Sequence, residues 1–290
     1  SFLVLFVYDF MESSYEMYVL AVVSDEVKPG RGGGGQEFQL HRFFLDNTDS
    51  YTRSIWYQNY RVINRVNRLL EGAENFTPPA ADAALYNRVI AQARAIRAYS
   101  YLQLETYFST DMTNPSALGV ILSTSVAEST DKKPRSTNQQ IYDLINSDLD
   151  YARSILTYTT DRYYVDKGFV NAVSARFNLY RGNTVLAKQY AQDVITNSGY
   201  GRSLATPITT GPSGAIGTAT WNSAFYATAS SFNPYRNMWT DNARGESIFS
   251  LNRLANGVGV SVGTYYNTNA SNFSGVNMWN WGRNLFNLFN

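Results

Sequence analysis

The sequence predicts a mainly α-helical fold of nested helix pairs, with a loop-rich, irregular face and a few short strands. Three observations predict it. Residues 80–110 carry apolar and small side chains at steps of three and four over their whole length. Residues 167–199 read as two helices joined by a Gly-Asn turn. Beyond residue 200 the helical period gives way to chain rich in Gly, Ser, Thr and Asn, which nonetheless holds four of the five tryptophans.

The elements follow in order. The first ten residues, SFLVLFVYDF, are apolar but too short to span a bilayer, with no basic region or small-residue cleavage site, so they read as a buried strand or extended segment. A chain that starts at Ser1 without methionine is expected to have lost its true beginning. Residues 11–23 have a mixed period and read as a first helix. The run from Lys28 through Pro29 to Gly35 reads as a flexible loop. No Gly-Lys-Ser/Thr follows it, so a phosphate-cradling loop is rejected. Residues 51–71 form an amphipathic helix with Ile55, Val62, Ile63, Val66, Leu69 and Leu70 on its apolar face, expected to stop at Gly72 and Pro78-Pro79. Arg61, Arg65 and Arg68 on its flank read as a solvated face.

The central helix, residues 80–110, shows two stripes. Leu85, Val89, Ile96 and Tyr99 share one track with Gln92 and Gln103; Ala84, Ala91, Ala95, Ala98 and Leu102 make the other. Small residues along one flank let a neighbouring helix approach, so this helix is expected to be clamped on two sides. After an apolar piece at residues 118–122, either Ser136 with Gln139 or Thr137 with Gln140 offers a capping box. The helix that follows carries Ile141, Leu144, Ile145, Leu149, Ala152, Ile155 and Leu156. In the hairpin, Ala172, Ala175, Leu179 and Tyr180 face Ala187, Tyr190, Ala191, Val194 and Ile195 across Gly182-Asn183, and Gly199 caps the end. Such a crossing is what a tetratricopeptide-like pair needs, although no strict repeat runs through the chain. Residues 246–251 alternate and read as a short strand. The whole of residues 1–290 is read as a single domain, a helical scaffold over 1–200 and a loop-rich, aromatic-rich part over 201–290.

Composition narrows function. With 44% hydrophobic residues, 16% charged and a formal charge of +1, the 290-residue chain is globular and offers no bulk electrostatic argument for nucleic acid. It has no cysteine and one histidine, His41, which removes thiolate sites and most metal-ligand clusters. His41, in Leu40-His41-Arg42-Phe43-Phe44, reads as an ordinary structural or surface residue. Adjacent carboxylates such as Asp148 with Asp150, or Asp25 with Glu26, do not by themselves make a catalytic pair across a cleft. No catalytic residue, metal site or cofactor is expected.

Several stretches carry a resemblance. Trp56, Tyr60, Ile63, Asn67 and Leu69-Leu70; the run Ala93 to Leu102 with Glu105-Thr106-Tyr107-Phe108; Tyr142, Ile145, Asp148, Leu149 and Ala152; and residues 166–200 resemble, in the right order, the SusD/RagB family of surface nutrient-binding lipoproteins. Glu246 to Leu251 adds a weaker match. The resemblance implies a SusD-like fold of tetratricopeptide-like helix pairs with a loop-rich ligand-binding face. It further implies a protein on the extracellular face of the Bacteroidota outer membrane, tethered by an N-terminal lipid that is not in this chain. There it would capture oligosaccharides or oligopeptides and act as a hinged lid on a SusC-like TonB-dependent barrel transporter. The family's lipidated cysteine is absent and the chain ends at Asn290 before the family's closing segment, so both termini are expected to be incomplete.

The family's ligand residues lie in variable loops, so none is carried over by matching. The residues themselves suggest candidates, because aromatic faces stack on sugar rings or flank peptides while Asn, Arg and Tyr hydrogen-bond hydroxyls and amides. The expected ligand contacts are Trp221, Asn222 and Tyr226; Tyr235, Arg236 and Trp239; Tyr265 and Tyr266; and Trp279 and Trp281. Core packing beneath the loops is the competing reading for each ring. The alternative function is a tetratricopeptide-like scaffold that binds a protein partner; a glycosidase built on carboxylates alone is the third.

Overall fold

The computed structural model describes residues 19–24, 26–30, 38–46, 48–128, 130–202, 211–227, 230–239, 243–250, 276 and 279–289. Chain order begins with a short helix α1 (Val19–Val23), a strand β1 (Val27–Pro29) and a short helix α2 (Phe38–His41). Four long helices and a turn of 3-10 helix form the scaffold: α3 (Ser50–Glu74), the 3-10 turn Ala80–Asp82, α4 (Ala83–Phe108), α5 (Asn138–Ile155) and α6 (Lys167–Tyr180), with α7 (Thr184–Asn197) completing a hairpin with α6. Past residue 200 come α8 (Ala219–Phe225), α9 (Pro234–Trp239), β2 (Trp279–Trp281) and α10 (Arg283–Phe289). The expected first ten residues and the glycine run at 32–35 lie outside the described residues.

The helix α4 is the hub, packed between α3 and α5 as its two stripes require. Ala91, Ala95 and Ala98 are fully buried, and the small side chains let both neighbours close on it. Leu85, expected on the apolar track, is exposed, because the first turns of α4 extend past the core. Gln92 from the same track is buried and donates to the Val165 carbonyl at 2.9 Å. Around α4 lie Val62, Ile63 and Val66 of α3, and Ile141, Ile145 and Leu149 of α5.

Within this apolar contact sits a polar inlay. Arg97 grips Asp148 of α5 with two parallel hydrogen bonds, 2.7 and 2.8 Å, and its third nitrogen donates to Asn67 Oδ1 of α3 at 2.8 Å. All three side chains are buried. Asn67 then donates to the carbonyls of Ser123 and Ser125, and Tyr101 both donates to the Ser123 carbonyl and accepts from its N–H. A strap, residues 117–126, is thereby laid across α3 and α4. Gly119 lies so close to α4 that a Cβ there would overlap the Glu105 carboxylate and come within 2.8 Å of Asn138 Oδ1.

Helix ends follow local rules. Of the two capping boxes offered by the sequence, the chain uses Thr137 with Gln140. Gly72 does not stop α3, which continues to Glu74; nothing lies near Gly72, and an exposed glycine in a long helix costs only about 1 kcal/mol. In α6 the buried face is Val170, Val173, Ser174 and Phe177, while Leu179, on the far side of the helix from Phe177, and Tyr180, its last residue, are exposed. Ile195 of α7 is likewise exposed.

Two further expectations change. Lys28 and Pro29 are not loop: β1 pairs antiparallel with β2, Val27 opposite Trp281 and Pro29 opposite Trp279. Residues 246–250 form no strand. Instead Arg244 ties this stretch to the scaffold through the carbonyls of Thr159, Ser247 and Ile248, its guanidinium 3.7 Å from the Tyr200 ring centre. The Ser250 N–H donates to the Arg162 carbonyl, and Phe249 packs edge-on to Phe169. No helix among the described residues is long and apolar enough to cross a membrane.

Removing one partner of the inlay strands the other as a buried charge. Asp148→Ala is expected to cost about 3–5 kcal/mol in chemical denaturation, and Arg97→Met combined with Asp148→Leu much less. Gly119→Ala, which forces the strap off α4, is expected to cost about 1–3 kcal/mol in the same measurement.

Candidate functional site

The expected contact residues fall on three elements. In α8, Trp221 is only 5% exposed and its ring stacks on Phe225 at 4.6 Å and 12°. Its indole therefore packs inward, filling the space that Gly211 leaves open. Asn222 is half-buried and donates to the Gly217 carbonyl at 3.3 Å, while Tyr226, edge-on to Phe225, is exposed. In α9, Tyr235 is exposed, Arg236 is half-buried, and Trp239 is the last residue of the helix. Trp279 and Trp281 belong to β2. Tyr265 and Tyr266 lie outside the described residues.

Trp279 leads to a site that the sequence reading passed over. It packs with Tyr51 against a small core of Val22, Leu40 and Ile55, which joins the β1–β2 ribbon to α2 and the start of α3. Above that core, between α2 and α3, lies an open recess of about 940 Å³, lined by residues that include Arg42, Phe43, Phe44, Asp46 and Tyr51. Its size lies within the range of small-molecule sites. Phe43 and Phe44 are 63% and 66% exposed, two adjacent phenyl rings turned to solvent.

The backbone explains how they are held there. The Phe43 N–H donates to the Leu40 carbonyl and the Phe44 N–H to the Gln39 carbonyl, the two hydrogen bonds of a Schellman end to α2. That motif needs its C′ residue in the left-handed region, where glycine is usual. Here it is Phe43, at φ 58°. A bulky residue in that region costs roughly 1–2 kcal/mol, strain of the kind found where a side chain has work to do. The Arg42 guanidinium stands 5.7 Å from the Phe44 ring centre, presenting a cation beside the aromatic surface.

The two carboxylates of the recess are engaged locally. Asp46 Oδ1 accepts from both the backbone N–H and the hydroxyl of Thr48 at 2.7 Å, and these hydrogen bonds hold its pKa below the usual carboxylate value. Asp49 caps α3 by accepting from the Tyr51 N–H at 2.9 Å; partial burial, with the Asp46 charge second, pushes its pKa up. One carboxylate shapes the turn and the other starts the helix. The arrangement offers ring faces, an arginine and carboxylate acceptors for binding. Among the described residues, no group of three or more His, Asp or Glu side chains is placed to hold a metal ion.

The signal missed in the sequence was the Phe43-Phe44 pair. It was read through His41, and no glycine marked the end of α2.

Comparison with known proteins places the scaffold. A SusD-like family model, described as starch-binding and associating with the outer membrane, matches residues 23–179, which cover α3, α4, α5 and nearly all of α6. A SusD-like protein of Bacteroides ovatus is 26% identical over 174 residues, 56% of this chain and 30% of that protein. Among solved structures, a SusD superfamily protein of Bacteroides thetaiotaomicron superposes with a TM-score of 0.55 at 26% identity, over 65% of this chain and 46% of the other. A putative sugar-binding protein of Bacteroides vulgatus gives 0.59 at 22%, over 72% and 49%. A laminarin-binding SusD-like protein gives 0.55 at 22%, over 68% and 44%. The chain thus spans less than half the length of each of these relatives. With more than half of its residues inside the family match, on the helices that carry the buried Arg97 inlay, the chain belongs to the SusD-like family.

Proposed function

We propose that this chain is the scaffold and part of the capture surface of a nutrient-binding lipoprotein that takes up oligosaccharides without altering them. The observation that carries the reading is the exposed Phe43-Phe44 pair in the recess on a SusD-like scaffold. Pyranose rings present apolar faces that stack on phenyl rings, and their hydroxyls suit Arg42 and the Asp46 carboxylate. Oligosaccharide is favoured over oligopeptide because two of the structural relatives are a laminarin-binding protein and a putative sugar-binding protein. Exposed Tyr226 and Tyr235 are proposed as further ring contacts, with Trp279 bracing the recess from below. Trp221 is proposed to support Tyr226 through Phe225.

In the whole protein, an N-terminal lipid would hold this domain at the outer membrane surface. There it would act as the lid of a SusC-like TonB-dependent transporter, closing over captured ligand. The second reading, a helical scaffold for a protein partner, draws on the exposed Leu179, Val185 and Ile195 of the α6–α7 hairpin. The two readings predict different companions in a mild-detergent pull-down from native membranes. A stoichiometric barrel transporter supports the lid; soluble helical partners alone favour the scaffold and sink the lid.

Calorimetric titration with β-glucan oligosaccharides tests the recess directly. Replacing both Phe43 and Phe44 with alanine is expected to weaken binding about tenfold, at roughly 0.5–1.5 kcal/mol for each ring. Binding that is absent in the native protein, or unchanged in the variant, would remove the recess from the site. Phe43→Gly separates fold from function: it is expected to stabilise the protein by about 1 kcal/mol in denaturation, by relieving the left-handed strain, while weakening the ligand.

A further inference from the structure

The Glu105 carboxyl is fully buried on α4, facing the strap. Its Oε1 accepts from the Val120 N–H at 3.0 Å, and its Oε2, also buried, has no hydrogen-bond partner. Glu105 crowds the side of Gly119 where a Cβ would stand, together with Asn138 Oδ1, so the carboxyl and the strap backbone are in direct register. An ionised carboxylate in this place would leave one charged oxygen unsolvated, whereas a protonated one leaves only a neutral O–H without an acceptor, a smaller penalty.

We infer that Glu105 is a proton-operated latch: with its proton on, it seats the strap of residues 117–126 on α3 and α4, and loss of the proton loosens that strap.

The groups facing Glu105 do not neutralise it. Arg135, from the loop before α5, is the nearby cation. It is exposed, and it spends its N–H groups on the carbonyls of Phe108, Leu118 and Gly119. Tyr60 of α3 donates to the Ile121 carbonyl and Tyr142 of α5 to the Met112 carbonyl, and burial holds both phenols neutral by raising their pKa. Tyr101, one turn before Glu105 on α4, is bonded to Ser123. Asp111 adds negative charge near Tyr142. Burial, opposed in part by the Val120 N–H and Arg135, pushes Glu105 up to about 7. With the strap seated the proton stays on to about pH 7; with the strap released it leaves near 4.5. Raising the pH between these values therefore favours release, and above both the effect levels off.

What the latch controls follows from the strap's other bonds. Tyr60, Asn67 and Tyr101 all meet its carbonyls, so release uncovers the groove between α3 and α4 and frees one partner of the Arg97 inlay.

Hydrogen exchange of the full chain at pH 5.5 and 8.5, corrected for intrinsic exchange, tests this. Residues 117–126 are expected to lose about 30-fold in protection at the higher pH, the difference two carboxyl pKa values of 4.5 and about 7 produce, while residues 141–152 of α5 stay unchanged. Glu105→Gln is expected to give equal strap protection at both pH values. A pH-independent strap in the native protein, or the same loss in Glu105→Gln, would overturn the latch. Should that variant fail to fold, carboxyl carbon NMR of the native protein decides: one glutamate titrating near pH 7 supports the latch, and all of them titrating in the ordinary range overturns it.

Discussion

The structure depends on one guanidinium. Arg97 stands in the middle of the most buried helix and satisfies three of its N–H groups on two different neighbours, Asp148 of α5 and Asn67 of α3. The alanines around it bring those neighbours close enough to be reached; longer side chains would hold them away and leave a buried charge unpaired. The apolar contacts are non-directional and fix the register through packing alone. The bidentate pair adds a directional constraint, because a planar fork matches a carboxylate in one geometry. The polar inlay thus supplies direction and the apolar core supplies area.

That register positions everything built outside it. Asn67 reaches Ser123 and Ser125 only because Arg97 occupies its oxygen and leaves its amide nitrogen facing the strap. At the other end of α3, Ile55 joins Val22 and Leu40 in the small core beneath the recess. The recess is therefore carried by a helix whose far half is locked into the scaffold. Its second wall is contributed by α2, and the core beneath it is closed off by Trp279 from the far end of the chain. A recess assembled this way rests on a scaffold helix on one side and on long-range strand pairing on the other.

Much of this was legible in the sequence where the physics is local. Periods of three and four located α3 to α7, and a capping box at Ser136 with Gln139 or Thr137 with Gln140 announced the start of α5; the structure uses the second, and adds Asp166 and Asn183 as caps of the hairpin helices. What was illegible depends on contacts distant along the chain. Nothing in Val27-Lys28-Pro29 indicates that its partner is Trp279-Asn280-Trp281, because a three-residue strand has no period to read and its pairing lies some 250 residues away. Leu179 and Tyr180 fit the expected hairpin crossing, yet Leu179 turns away from the face that Phe177 buries and Tyr180 ends the helix. Phe43 was missed for a different reason. Its role lies in breaking a local rule, and a reading based on rules treats the stretch as unremarkable.

The departure at Phe43 also bears on what kind of site this is. General acid–base catalysis needs a group whose protonation is matched to its task and left free to act. Asp46 and Asp49 do sit in the recess with opposite pKa shifts, but those shifts arise from local duties, hydrogen bonds from Thr48 in one case and partial burial at the cap of α3 in the other. A proton taken up by either would weaken the hydrogen bonds that hold the turn or the helix start. The strained position instead holds an aromatic ring out into solvent. Strain at a displayed ring, beside acids that are engaged in holding the turn and the helix start, is what favours the binding reading proposed for the recess.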